Sequence, residues 1–274
     1  MRKYKVGVLQ INTQENIEDN LKKITQMVEE AAKNGANLVT LPENMNQITN
    51  NKEMIKEEVI PGRTINLMSD LAKKHKIWIH CGSIKEHNPE GKPFNTTVVL
   101  NPEGEIAGKY RKLHLFDVEL KDGGSFKESD KNSKGSKVVN IDTEMGNMGL
   151  SICYDIRFPE LYRLMTLNGA EVIFVPANFT YPTGKAHWSI LMRARAIENG
   201  TYVVATGQVG QKPNVVAYGH SMIVDPWGNI LAEGQEGEEI IYGEIDLDNI
   251  PKIREQIPSL SNRRADVYNL SVVD

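Results

Sequence analysis

Short apolar runs alternate with stretches of helical period from one end of this sequence to the other, and a chain patterned in this way folds as an α/β protein. Tyr4–Gln10 alternates and is β-branched at Val6 and Val8. Asn16–Lys33 follows with Ile17, Leu21, Ile24 and Val28 at helical spacing, and Gly35 stops it. A buried strand over Asn37–Leu41, a helix over Thr64–His75 and a strand over Ile77–Gly82 come next. Asn95–Leu100 and Ile106–Arg111 flank Asn101-Pro102-Glu103-Gly104, which predicts a hairpin. The second half repeats the theme, with strands over Val138–Ile141 and Met148–Cys153 around a turn at Met145–Asn147. A helix over Phe158–Asn168 ends at Gly169, Val172–Pro176 reads as a buried strand, and a helix over His187–Asn199 ends at Gly200. Strands over Tyr202–Gly207 and Ile240–Ile245 enclose a second hairpin around Asp225-Pro226-Trp227-Gly228. Lys121–Lys137 is the most polar segment and reads as a loop; loops of this length inside a compact domain are usually functional. Pattern alone fits either a mixed-sheet layered domain or a (β/α)8 barrel.

Composition narrows the class of function. The 274 residues carry 32 basic and 36 acidic side chains, a net charge of −4. No concentrated basic face is available to neutralise phosphates, so no nucleic-acid partner is expected. No run approaches the roughly 18 apolar residues of a membrane span, and the N-terminus lacks the long apolar region of a signal peptide. The two cysteines, Cys81 and Cys153, form neither a disulfide framework nor a Cys-x-x-Cys pair, which points to a reduced, cytoplasmic protein. The six histidines lack zinc-ligand spacing, and no cofactor fingerprint is present, so neither metal nor cofactor is expected. One domain over residues 1–274 accounts for the whole chain.

Three residues end predicted strands and carry chemistry. Cys153 closes an apolar strand just before a helix that begins near Pro159. A nucleophile at such a turn is exposed at the sheet edge, where backbone N–H groups meet an oxyanion and favour a thiolate. A buried structural cysteine is the alternative. Glu43 follows the apolar run Asn37–Leu41, in the crevice where α/β proteins place ligands, and partial desolvation there suits a carboxylate to proton transfer; an ordinary loop glutamate is the alternative. Lys112 stands where the first hairpin ends, among Lys109, Arg111 and His114, and competes with a reading of that stretch as a solvated basic patch.

Taken together, Leu41-Pro42-Glu43, Tyr110-Arg111-Lys112 with Leu113-His114-Leu115-Phe116, and Ile152-Cys153-Tyr154-Asp155 with Arg157-Phe158-Pro159-Glu160 resemble the three signatures of the nitrilase, or carbon–nitrogen hydrolase, superfamily. The likeness spans nearly the whole chain and is nearest the Nit-type amidases, which include ω-amidase and deaminated-glutathione amidase. It implies a four-layer α-β-β-α sandwich rather than a barrel. It implies a catalytic set of Cys153 as nucleophile, Glu43 as proton carrier and Lys112 at the oxyanion. A second glutamate follows the lysine in the family; Glu128 matches it best and Glu119 is the runner-up. Here the family's Pro-Gly-Asp-like element is replaced by Asp130-Lys131-Asn132-Ser133-Lys134-Gly135.

The reaction so implied is hydrolysis of a small carboxamide to a carboxylate and ammonia through a thioester, by a homodimer built on its outer helices. Arg157, four residues past Cys153, can clamp a substrate carboxylate or pair with Glu160 or Asp155. Tyr154 and Phe116 can wall a small pocket. These features suggest an ω-amide, and an α-keto-ω-amide in particular. The rival readings are a deaminated-glutathione amidase, a nitrilase or carbamoyl-amine hydrolase with the same triad, and a catalytically silent binding protein on this fold.

Overall fold

The computed structural model describes residues 2–120 and 124–273. Two sheets stack face to face, and helices cover the outer face of each. In the first sheet, Lys3–Gln10 pairs antiparallel with Glu239–Asp246 on one side and parallel with Leu38–Thr40 on the other. Trp78–His80 continues the sheet in parallel. Phe94–Leu100 then pairs with Trp78–His80 and Ile84–Glu86 at its two ends and with Ile106–Arg111 along its length. The second sheet runs Ile230–Glu233, Met222–Val224, Tyr202–Gly207, Val172–Ala177, Gly146–Leu150 and Asn140–Thr143. Gly146–Leu150, Val172–Ala177 and Tyr202–Gly207 run parallel, and the last two are fully buried, which is why Val172–Ala177 reads as an unbroken apolar run.

Helices α1 (Ile17–Lys33) and α2 (Arg63–His75) bury Leu21, Ile24, Val28, Ile65, Met68 and Leu71 against the first sheet. Asn16 caps α1 by accepting from the N–H groups of Glu18 and Asp19, so the periodic stretch starts where the sequence indicates. Helices α3 (Pro159–Leu167) and α4 (Tyr181–Asn199) cover the second sheet, and α5 (Asn249–Gln256) follows the last strand. Between the sheets, Val6, Val8, Leu38 and Val99 share one core with Met148, Leu150, Val172 and Phe174. His80 stacks on Phe174 at 4.9 Å, and the Thr40 and Thr206 hydroxyls meet at 3.0 Å. This is the α-β-β-α sandwich, and it excludes the barrel.

Several local expectations need correction. The strand read as Met148–Cys153 ends at Leu150, and Cys153 opens a 3-10 turn over Cys153–Arg157. Its partner is shifted to Asn140–Thr143, and Gly146 opens a strand instead of lying in the turn. Helix α4 starts six residues before His187, because Pro182 is compatible with a first turn. Within the segment read as a loop, Gly124–Lys127 pairs with Asp117–Leu120 as a ribbon, and residues 121–123 lie outside the described residues. A second ribbon joins Val209–Gln211 to Val216–Tyr218. Among the described residues no helix is long and apolar enough to cross a membrane.

Candidate active site

The carboxyl ends of both sheets open into one cleft of about 1040 Å³, whose lining includes Glu43, Lys112, Phe116, Glu128, Cys153, Tyr154 and Arg157. Glu43 follows Leu38–Thr40 after two residues and is 3% exposed; Lys112 follows Ile106–Arg111 directly and is 2% exposed. The Lys112 ammonium donates to Glu43 Oε1 at 2.9 Å and to Glu128 Oε2 at 2.8 Å. Burial opposes its charge, but Glu128 and Glu43 outweigh burial and push Lys112 well above the usual lysine range. Glu128 is partly buried, and its loss of water would raise its pKa. Lys112 and the N–H of Phe116, at 2.8 Å from Oε2, reverse that and hold it below the ordinary value.

Cys153 adopts φ +50, a left-handed conformation that costs a non-glycine residue energy and turns its side chain into the cleft. Burial, and next the Glu43 carboxylate, push its thiol well above the usual range, against the smaller opposing pull of Lys112. That environment favours the protonated thiol, with Glu43 beside it as the proton acceptor.

The turn is held by Asp155, which is fully buried. Its Oδ2 accepts from the Ile152 N–H at 2.8 Å and the Tyr110 hydroxyl at 2.7 Å; its Oδ1 accepts from the His114 N–H at 3.0 Å and faces His114 Nδ1 at 2.7 Å. One carboxylate thus fixes the Cys153 turn to the segment carrying Lys112. Arg195 donates twice to the Ile156 carbonyl and once to Glu198, which makes it structural.

Arg157 forms no ion pair with Glu160 or Asp155. It lies 3.3 Å from His187 Nδ1, with its guanidinium 5.4 Å from the Phe179 ring and 6.0 Å from the Tyr154 ring. Phe116 meets Tyr154 edge-on at 5.1 Å, so the two form one aromatic wall. Glu119 is exposed on the ribbon and does not line the cleft. Cys81 is buried in the helix-side core of the first sheet, away from the cleft.

Sequence reasoning missed three residues. Asn95 donates to Glu43 Oε1 at 2.8 Å, the N–H of Asn178 donates to Glu43 Oε2 at 2.9 Å, and Asn132 donates to Glu128 Oε1 at 3.0 Å. Asn178 follows the apolar run Val172–Ala177 directly, the same strand-end signal that marks Glu43. Asn95 and Asn132 carry no such signal.

Residues 5–255 match the family model described as carbon–nitrogen hydrolase. The chain is 39% identical to omega-amidase NIT2 of Mus musculus over 98% of both chains. It is also 39% identical to deaminated glutathione amidase of Synechocystis sp., over 96% of this chain and 99% of that one. The crystal structure of the C. elegans NitFhit protein superposes with a TM-score of 0.91 at 36% identity, over 100% of this chain and 68% of that one.

Proposed function

Since this chain belongs to the carbon–nitrogen hydrolase family and is an amidase, we propose that it hydrolyses the carboxamide of a small carboxylated substrate, an ω-amide, through a thioester on Cys153. The observation that carries this reading is the buried Glu43–Lys112–Glu128 bridge beside the Cys153 thiol. Glu43 takes the thiol proton as sulfur attacks the carbonyl carbon. The developing oxyanion meets Lys112 and the first N–H groups of the Cys153–Arg157 turn, which have no partner inside the turn. Glu43 returns the proton to the amide nitrogen, and ammonia leaves. It then takes a proton from water as the water attacks the thioester; the C–S bond breaks, Glu43 hands that proton to the departing Cys153 sulfur, and the product leaves as a carboxylic acid that ionises in water. Glu128 holds Lys112 in place and in its charged form. An oxyanion contact of this kind is typically worth roughly 3–4 kcal/mol.

Substrate choice rests on Arg157. Its neighbours are aromatic rings and His187, so its charge is available to a ligand carboxylate inside a partly apolar pocket. An α-keto-ω-amide fits this arrangement. Deaminated glutathione is a second reading, favoured by the cleft volume, which lies at the upper end of the usual pocket range of about 300–1,000 Å³.

The test is ammonia release from α-keto-ω-amides, simple ω-amides, deaminated glutathione, carbamoyl amines and nitriles. Removing the distal carboxylate should lower kcat/KM by about tenfold, or about 1.4 kcal/mol. Arg157→Ala should lower it similarly for carboxylated amides and leave neutral amides unaffected. Preference of the unaltered protein for neutral aliphatic amides would overturn the carboxylate clamp.

We further propose that the chain acts as one domain over residues 1–274, in the cytoplasm, as a homodimer. Ile190 and Ile197 on α4 are 70% and 51% exposed, and Trp227, in the turn between Met222–Val224 and Ile230–Glu233, is 48% exposed, apolar surface suited to a symmetric contact.

A further inference from the structure

Glu43 and Glu128 bring two carboxylates to the cleft, and Lys112 is one ammonium. Lys85, on the strand Ile84–Glu86, lines the same cleft and forms no ion pair within 4 Å among the described residues. Its ammonium donates to Asn132 Oδ1 at 3.0 Å, and Asn132 Nδ2 donates onward to Glu128 Oε1 at 3.0 Å. An ammonium has donors and no acceptor, whereas a primary amide has one acceptor oxygen and one donor nitrogen. Beside Lys85 the Asn132 oxygen must face the lysine, and the NH2 group is thereby turned to Glu128. The flipped amide would set its oxygen against the Glu128 carboxylate and its N–H against a cation.

We propose that Lys85 is a positioning residue of the hydrolytic site: it fixes the polarity of Asn132 so that Asn132 and Lys112 each hold one oxygen of an ionised Glu128. The charged groups around Lys85 are Glu128, Glu57 and Glu43, which favour its charge, and Lys131, which opposes it. Burial is the largest influence on Lys85 and lowers its pKa. Without Lys85, Glu128 loses a secured N–H donor and a neighbouring positive charge. It therefore takes up a proton at higher pH, and Lys112 loses an ionic partner.

This inference rests on the reading that Cys153, Glu43, Lys112 and Glu128 form one catalytic set, so it needs a readout that requires no substrate. That readout is the pH dependence of Cys153 alkylation by iodoacetamide in the full chain, alongside kcat and KM for ammonia release. Lys85→Met should move the acid limb of alkylation upward by about half a pH unit. It should lower kcat about tenfold with KM nearly unchanged. Lys85→Arg, which keeps donors and charge, should recover most of the loss. Asn132→Leu should act like Lys85→Met, and the double variant should be no worse than either single one. An unmoved acid limb in soluble, folded Lys85→Met and Lys85→Gln, or additive effects in the double variant, would overturn the proposal. Failure of the amidase reading would look different: the unaltered protein would release no ammonia from any amide, while the alkylation limb would still report on Lys85.

Discussion

Lys112 sits between two carboxylates and beside a thiol, and in the proposed mechanism its charge is present before, during and after the attack on the amide. Lys112→Ala would leave Glu43 and Glu128 without their shared cation, and Glu128 would shift toward the neutral form. We expect kcat to fall by about three orders of magnitude with a much smaller change in KM, and Glu43→Gln to behave alike. Cys153→Ala should abolish turnover; retention of a tenth of the activity would exclude the thioester. The sequence around Lys112 shows how far residue-level reading reaches. Lys109, Arg111, Lys112 and His114 look alike as a basic run, but a strand sends neighbours to opposite faces. Lys109 and Arg111 pair with Glu86, while Tyr110 and Lys112 are 1% and 2% exposed and point inward. The strand period sets Lys112 on the face opposite Lys109 and Arg111 but does not separate it from His114; its place at the end of the hairpin was what the sequence showed. The partners Asn95 and Asn132 were not legible, because they reach Glu43 and Glu128 through three-dimensional proximity and follow no periodic signal.

Among the elements, the hairpin that carries Lys112 is tied down by Glu86 on the neighbouring strand Ile84–Glu86. Glu86 accepts from Arg111 Nε and Nη2, Lys109 and Thr96 at 2.7–2.8 Å. Burial raises its pKa, but the bonds from Arg111, Lys109 and Thr96 prevail and hold it at about 2, below its ordinary 4.5. A carboxyl depressed on folding adds stability that is complete above pH 4.5 and is lost as pH falls through about 2. Glu86→Gln should therefore cost stability at neutral pH, on the order of 2–3 kcal/mol, and the difference from the unaltered protein should vanish in strong acid. Urea unfolding at a series of pH values reads both effects; a pH-independent difference would contradict this account. Helix α4 offers a second case. Its first turn was hidden in the sequence by Pro182 and Gly184, residues that usually interrupt helices. A Cβ at Gly184 would fall 2.3 Å from Tyr218 Cγ, so the glycine is what allows α4 to lie against the ribbon strand Val216–Tyr218. Gly184→Ala should lower stability by roughly 1–3 kcal/mol despite the better helix propensity of alanine. A gain in melting temperature would show that the ribbon yields freely.

For the molecule as a whole, the proposed dimer predicts twice the chain mass by light scattering at micromolar concentration, and Ile190→Asp should shift the population toward monomer without altering the fold. The α/β class follows from signals spread along the chain, the helical period of α1 and α2 and the apolar runs of the buried strands, whereas pattern alone left the barrel open and only the family resemblance implied the sandwich. Helix α5 was missed, with mostly exposed residues and only Ile250 buried. So was the closure of the first sheet by Glu239–Asp246 onto Lys3–Gln10, since pairing across such a distance leaves no local trace.

That closure bears on how the protein is made. Lys3 pairs with Asp246 and Gln10 with Glu239, so the first sheet is completed by a strand that is synthesised long after its partner. Glu43 and Lys112 project from this sheet and Cys153 from the other, and the two surfaces come together only when the sheets stack. A growing chain on the ribosome carries all three candidate groups long before it can assemble them. Contacts of such long range also slow folding. Activity should therefore emerge as a late, all-or-none event in refolding, lagging behind the recovery of helical signal, and a thiol that meets no aligned carboxylate stays catalytically silent until then.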